Sequence, residues 1–464
     1  MSTDWLPTSL NPTKPVYRAI ADAIEADIAS SRLQNGDKLP TQRHLAKELN
    51  VDFTTITRAY GEARKRGLIV ARVGQGTFIQ GSKAAPSPTT RQSTNAEIDM
   101  GMNMPPVPTD PDVITRMHHE MNEVTHRLST RSLFGYQDFI GSPMEREQAA
   151  HWVSRFLPKA CAERLLICSG TQSALLSLVL FLLKPGDTAA SENVTYPGFS
   201  ILLRQLGIHH VGLEMDDEGI IPAVFRKACQ EKNISVLYCN PTLHNPTTTT
   251  WSQPRRVAIA QIAREYDVKI IEDDAYGGLA LSAPAPLSTF APERSYYIIG
   301  LAKCLSSALR ISFLCVPDHQ NFQALALSNR ATSMMASPIT KAMALQLLSS
   351  GCADLVVKDI LKEVTIRQKI AKDILPKGSF KADPNGFQVW LELGEHWTTH
   401  EFMGNLRRQG IRLIGGDAFA VSSNPPNAVR ICLGVPETSQ KTNEVLSTIT
   451  NTLRYSTNEL NAIV

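Results

Sequence analysis

The chain has 464 residues, 43% hydrophobic and 20% charged, the balance of a soluble globular protein too long for one ordinary core. A formal net charge of +3 is too small to imply nucleic-acid binding by itself. The eight cysteines form no C-x-x-C pair and no His/Cys cluster at metal spacing, which argues against a metal site and for a reducing compartment. The N-terminus, "MSTDWLPTSLNPTKP", lacks the charged-then-apolar order of a signal peptide. The longest apolar run, "ALLSLVLFLL" at 174–183, is too short to span a bilayer. A cytoplasmic protein with no membrane partner is expected.

In chain order, "VYRAIADAIEADIASSRL" (16–33) places Ile20, Ile24 and Ile28 at four-residue spacing and predicts an amphipathic helix. Asn35–Gly36 marks a turn. Thr41 can cap a short second helix carrying Leu45, Ala46 and Leu49, and Asp52 a third that ends at Gly67. "LIVARVGQGTFIQ" reads as two short strands joined by a Gly-x-Gly turn around Gly74 and Gly76. Three helices and a hairpin make a winged helix-turn-helix over residues 1–80. "VGQGTF" lacks the third glycine and following helix of a phosphate loop. In the third helix Thr54, Thr55 and Thr57 are short polar groups able to reach base edges or phosphates. Arg58 and the cluster Arg64, Lys65, Arg66 and Arg72 can meet the backbone, although a basic stretch is more often a solvated face.

The stretch "GDKLPTQRHLAKELNVDFTTITRAYGEARKRGLIVARVGQGTFI" resembles the DNA-binding domain of GntR-type bacterial regulators. Leu39, Pro40, Arg43, Leu45 and Ala46 carry the family pattern. The resemblance implies that Arg43, Thr54, Thr55 and Gly74 contact operator DNA. Thr57 stands where some members have arginine.

Residues 81–97, rich in Ser, Thr, Pro and Ala, read as a flexible linker. From 98 to 464, β-like runs alternate with helical ones, the pattern of an α/β fold with a mostly parallel sheet. Candidate buried strands are "RLLICSG", "ISVLYCN", "VKIIEDDAY", "YYIIG" and "ISFLCVP". At the strand ends stand residues with chemical possibilities. "SGTQ" puts Gly170 and Thr171 at a helix start suited to an anion, or to an ordinary cap. Asp273 and Asp274 end a strand where open α/β sheets place ligands, with Tyr276 beside them. Asn245 sits in a proline-fixed loop, and Tyr196 is a flat ring suited to stacking on a heteroaromatic group. Lys303 lies among apolar residues, where a lowered pKa makes an amine nucleophilic, unless it merely snorkels to solvent.

Taken in order, the small-residue turn, T-Y-P, N-P-T, D-x-x-Y, lysine and arginine resemble the fold type I aminotransferases, which bind pyridoxal 5′-phosphate. The resemblance covers about residues 98–455, with a smaller C-terminal α+β part. It implies Lys303 as the cofactor's covalent partner, Asp273 at the pyridine nitrogen, and Asn245 and Tyr276 at the ring hydroxyl. Tyr196 stacks on the ring. Gly170, Thr171 and Arg310 hold the phosphate, Tyr136 reaches the phosphate of a partner subunit, and Arg430 binds a substrate α-carboxylate. Gly300, Leu301 and Ala302 precede the lysine where the family often has hydroxyls, and Thr248 replaces the glycine of N-P-T-G.

A winged helix joined to an aminotransferase-like domain resembles the MocR subgroup of GntR regulators. It implies a homodimeric transcription regulator that binds a double-stranded operator and senses pyridoxal 5′-phosphate or a small amino compound. The alternative is an active aminotransferase carrying an accessory DNA-binding domain.

Overall fold

The computed structural model describes residues 5–8, 10–12, 14–30, 32–33, 36–72, 76–79, 97–280 and 282–454. The chain falls into two compact units, residues 1–95 and 96–464. Most of the expected linker, 81–96, lies outside the described residues, as do Asn35 and Gly74.

The first unit contains α1 (Val16–Ala29), α2 (Gln42–Glu48) and α3 (Phe53–Lys65), followed by β1 (Ile69–Arg72) and β2 (Gly76–Ile79). The caps fall where the sequence places them. Thr41 Oγ1 accepts from His44 N at 3.3 Å, and Asp52 Oδ1 from Thr54 N at 2.7 Å, satisfying first-turn N–H groups that have no helical partner. The i, i+4 spacing of Ile20 and Ile24 turns both into a core shared with Leu45, Ile56 and Ala59. Tyr60 joins that core because its hydroxyl has an acceptor, Pro40 O at 2.8 Å. β1 and β2 pair antiparallel, Ile69 opposite Ile79, which completes the wing.

The second unit opens with β3 (Ile98–Asp99) and is built on a seven-stranded sheet. Its strands are β4 (Leu165–Cys168), β5 (Thr188–Glu192), β6 (His209–Leu213), β7 (Ile234–Cys239), β8 (Lys269–Asp273), β9 (Ser295–Gly300) and β10 (Ser312–Cys315). The spatial order is β4-β10-β9-β8-β7-β5-β6. Helices α4 (Thr171–Leu182) and α5 (Gln253–Glu265) are among the crossovers. β10 runs antiparallel to both neighbours. Residues 301–311 between β9 and β10 are too few for a parallel crossover with its own helix, so the chain doubles back. Lys303 sits in that return.

A smaller antiparallel sheet follows, made of β11 (Phe380–Ala382), β12 (Gln388–Glu392), β14 (Ile414–Gly415) and β15 (Ala428–Cys432), with β13 (Ile411–Arg412) preceding β14 in the chain. Its order is β11-β12-β15-β14, while β13 pairs instead with β3. This is the expected C-terminal α+β part. No helix among the described residues is long and apolar enough to cross a membrane.

Candidate functional site

The carboxyl ends of β4, β5, β7, β8 and β9 converge on one cavity of about 360 Å³. It is lined by Gly170, Thr171, Tyr196, Asn245, Asp273, Tyr276, Lys303, Arg310 and Arg430, nine of the ten cofactor and substrate residues read from the sequence. The tenth, Tyr136, is 81% exposed and does not line the cavity of its own chain.

Each element delivers its residue for a local reason. Gly170 caps α4 with φ +87°, a left-handed conformation that glycine adopts without a Cβ clash. Arg310 lies alongside, its Nη2 at ordinary contact distance, 3.6 Å, from where a Cβ would stand. Arg310 itself has φ +51°, a strained setting for a long side chain that aims it back toward α4. A Cβ on Gly300 would come within 2.6 Å of Thr171 Oγ1, so the residue that replaces a hydroxyl before the lysine lets a different hydroxyl approach.

The two adjacent aspartates divide their duties by strand alternation. Asp273 faces the cavity. Asp274 Oδ2 instead accepts from Tyr297 Oη at 2.6 Å, and Glu272 accepts the amides of Leu287 and Ser288 at 2.9 and 2.7 Å. Asp273 Oδ2 accepts from Tyr238 Oη at 2.9 Å, while its Oδ1 is buried without a hydrogen-bond partner among the described residues. Burial pushes its carboxyl up to about 6, against the pull of the Tyr238 hydroxyl and the Lys303 charge.

Burial also lowers Lys303 to about 8. Its Nζ donates to Asn103 O. Arg430 projects from β15, donates from Nη1 to Asn245 Oδ1 at 2.7 Å and from Nη2 to Gly101 O, and lies 5.1 Å from the Phe419 ring centre. Tyr196 Oη donates to Gln172 Oε1 at 3.2 Å.

Several contributors escaped the sequence reading. Tyr238 and Asn240 lie two apart on β7 and its extension, and both reach Asp273, Asn240 Nδ2 donating to its backbone oxygen at 2.6 Å. The period-2 pattern was available to find them. Asn103 was not findable, because it acts partly through a backbone carbonyl. A second cavity of about 400 Å³ is lined by Trp152, Phe156, Leu301, Leu305 and Leu361 among others, with Arg155, Asp354 and Lys358 also in its wall and the first two paired with each other at 2.7 Å.

In the first unit, Arg43, Arg64 and Lys65 are exposed and Thr55 is half-buried. Other expected contacts are already engaged. Thr54 Oγ1 donates to Asp52 Oδ1, leaving its lone pairs for an outside donor. Thr57 Oγ1 donates to Gln42 Oε1 at 2.9 Å, bracing α3 on α2. The Arg58 guanidinium rests 4.7 Å from the Tyr17 ring centre. Arg66 departs from the expected phosphate-facing cluster. It pairs with Asp22, Glu25 and Glu62 at 2.7, 3.0 and 3.1 Å, because α1 presents carboxylates to the end of α3.

The aminotransferase class I and II family model matches residues 95–449, and the bacterial regulatory proteins, gntR family, model matches residues 16–79. The chain belongs to the class I and II aminotransferases. Residues 16–79 form a gntR-type head, which implies DNA binding, and a head of this kind before an aminotransferase domain is the arrangement of the MocR-type GntR proteins. The uncharacterized HTH-type transcriptional regulator YdeF of Bacillus subtilis is 26% identical over 94% of each chain. The vitamin B6 salvage pathway transcriptional repressor PtsJ of Salmonella typhimurium is 26% identical over 91% of this chain and 95% of its own. Among solved structures, an archaeal alanine:glyoxylate aminotransferase superposes with a TM-score of 0.69 at 24% identity, covering 76% of this chain and 91% of its own.

Pyridoxal 5′-phosphate is the cofactor of this aminotransferase fold, and the cavity fits it. One end offers a cation beside a helix N-terminus for a phosphate. The middle offers an amine of lowered pKa. The floor offers a buried carboxylate oxygen that lacks a donor among the described residues, which a protonated ring nitrogen would supply.

Proposed function

We propose that this chain is a cytoplasmic, homodimeric transcription regulator that binds operator DNA through its head and senses pyridoxal 5′-phosphate or an amino compound in the cavity. The observation that carries the reading is the convergence of Lys303, Asp273 and Arg310 in one cavity of a chain that also bears a gntR head.

In this reading the Lys303 amine anchors the cofactor. Asp273 keeps the ring nitrogen protonated, with Tyr238 holding the carboxylate in place. Asn245 keeps its amide N–H groups for the ring hydroxyl, since Arg430 occupies its oxygen, and the Tyr276 hydroxyl converges on the same atom. Tyr196 packs on the ring. Gly170, Thr171 and Arg310 hold the phosphate, and Tyr136 extends across the subunit boundary to the other phosphate. Arg430 receives an α-carboxylate. The cofactor, when bound, supplies an electron sink for an attached amine. Arg43, Thr54, Thr55 and Gly74 contact DNA, with Thr57 and Arg58 positioned behind them. A ligand that binds two arrangements of the dimer unequally shifts the spacing of the heads.

A working aminotransferase is the second reading, favoured by the intact set of lysine, aspartate and carboxylate-binding arginine. Incubation of the purified chain with a panel of amino acids separates the two. The regulator gives an absorbance change with a ligand-dependent DNA footprint and at most slow half-turnover. Sustained keto-acid release at enzyme-like rates with an unchanged footprint overturns it.

A further inference from the structure

The segment that leads from the linker position into the large unit passes along the cavity. Ile98 N donates to Gly410 O at 2.7 Å beside β13, and Met100 is fully buried, its oxygen accepting from Cys432 N at 3.0 Å. Farther on, Met104 O lies so close to Gly434 that a Cβ there would come within 1.9 Å. Thr109 N and Asp110 N then donate to Asp359 Oδ2 at 2.7 and 3.0 Å. Between these anchors, Gly101 O accepts from Arg430 and Asn103 O accepts from Lys303. Asn103 Nδ2 donates to Tyr276 Oη and to Gln388 Oε1, the latter at 3.0 Å. The amine and the guanidinium that the proposed ligands require are thus both held by one three-residue stretch of backbone.

We propose that Asn103 is a positioning residue of this cavity and that Gly101–Asn103 is a strap which ligands displace, carrying occupancy into the linker. The inference rests on the sensor reading above and names how the same site is coupled to the rest of the chain. While Nζ is a free amine or ammonium it has hydrogens to give to Asn103 O. Condensation with an aldehyde forms a C=N bond and releases water, leaving at most one hydrogen on nitrogen and turning it toward the new carbon. A carboxylate at Arg430 competes with Gly101 O, and a charge-assisted pair outweighs a neutral carbonyl. The aldehyde therefore removes the Lys303 tether and a carboxylate removes the Arg430 tether.

The remaining restraints are unequal. On the far side, Gly434 and Asp359 fix the chain. On the linker side stand a two-residue strand and the pairs Asp99–Arg412 and Glu97–Arg407, both at 3.5 Å with their arginines largely exposed. Buried Met100 is the pivot, and the linker side yields.

Hydrogen–deuterium exchange on the full chain tests this. Addition of pyridoxal 5′-phosphate is expected to speed exchange across 97–104 several-fold. A carboxylate that carries no amine should speed it further, whereas an amine without a carboxylate, which displaces Lys303 and leaves it free to donate again, should not. If the lysine-bound cofactor absorbs and DNA affinity responds, but exchange at 97–104 stays constant, the strap is wrong and the sensor reading stands. If neither absorbance nor DNA binding is found, both fall. In a second arm, Asn103→Ala should bring the ratio of DNA affinities with and without cofactor toward one. It should also move the pH midpoint of the cofactor band, because Tyr276 loses its donor. An unaltered ratio and midpoint overturn the proposal.

Discussion

Arg430 Nη1 donates to Asn245 Oδ1 at 2.7 Å, so the small sheet closes onto the loop that follows β7. Arg430→Lys keeps the charge and loses the forked donor. Binding of α-carboxylate amino compounds should weaken about tenfold or more, the worth of a charged hydrogen bond. Amines lacking the carboxylate should bind as before. Titration of the cofactor absorbance with paired ligands reads the difference.

Lys303 should attach the cofactor at neutral pH. With its amine lowered to about 8 from 10.5, about a tenth is unprotonated at pH 7, against about one part in three thousand for an ordinary lysine. The attachment rate should rise about tenfold between pH 7 and 9 and then level off. A rate still climbing past pH 10 contradicts the burial. Lys303→Ala should abolish the attached-cofactor band.

Beneath the cavity, burial raises Glu192 to about 7, although it accepts from Asn240 N at 2.9 Å and Thr195 Oγ1 at 3.2 Å. Burial likewise raises Asp273 to about 6 and Asp274 to about 7. A carboxyl whose folded pKa is raised holds its proton more tightly when folded. Its stabilising contribution is complete below the unfolded value and disappears as pH rises through the folded one. The melting temperature of the large unit, without cofactor, should therefore fall between about pH 5 and 8. Glu192→Gln should make that fall shallower, which thermal melts in a pH series will show.

Arg66→Ala should destabilise the head by about 1 kcal/mol, since its three acidic partners keep 28 to 56% of their side-chain surface exposed and are screened by solvent. DNA affinity of the folded variant should stay within about twofold, whereas Arg43→Ala should weaken binding and reduce its salt dependence. Equal losses from both substitutions would return Arg66 to the DNA surface.

Tyr136, 81% exposed, follows two further exposed apolar residues in the chain, Leu133 and Phe134, the latter 87% exposed. Exposed apolar side chains so close in the chain fit the proposed subunit boundary. Phe134→Asp should give monomers by light scattering and weaken cofactor binding at the same time. A dimer that persists with normal cofactor affinity would place Tyr136 elsewhere.

How far the sequence reached follows from the kind of signal involved. Helix caps at Thr41 and Asp52, the wing, and the β-branched strands β7, β8 and β9 are local patterns that survive without neighbours. β5, "TAASE", was not singled out as a strand because alanine and serine have little strand preference. The sheet interior selects it for small size, between β6 and β7. Likewise Thr57, Arg58 and Arg66 were legible as polar groups on α3. Their engagement by Gln42, Tyr17 and the acids of α1 depends on how three helices pack.

By itself the sequence determined the two-part architecture and the identities gathered at the strand ends, because residue type and order along the chain carry that chemistry. Tertiary structure alone decided that β10 turns back against its neighbours, that Asp273 and not Asp274 faces the cavity, and that the backbone beside the linker holds both Lys303 and Arg430. Those outcomes come from contacts between separate segments, hundreds of residues apart in the case of Lys303 and Arg430, and a carbonyl oxygen, present in every residue, leaves no mark in a sequence.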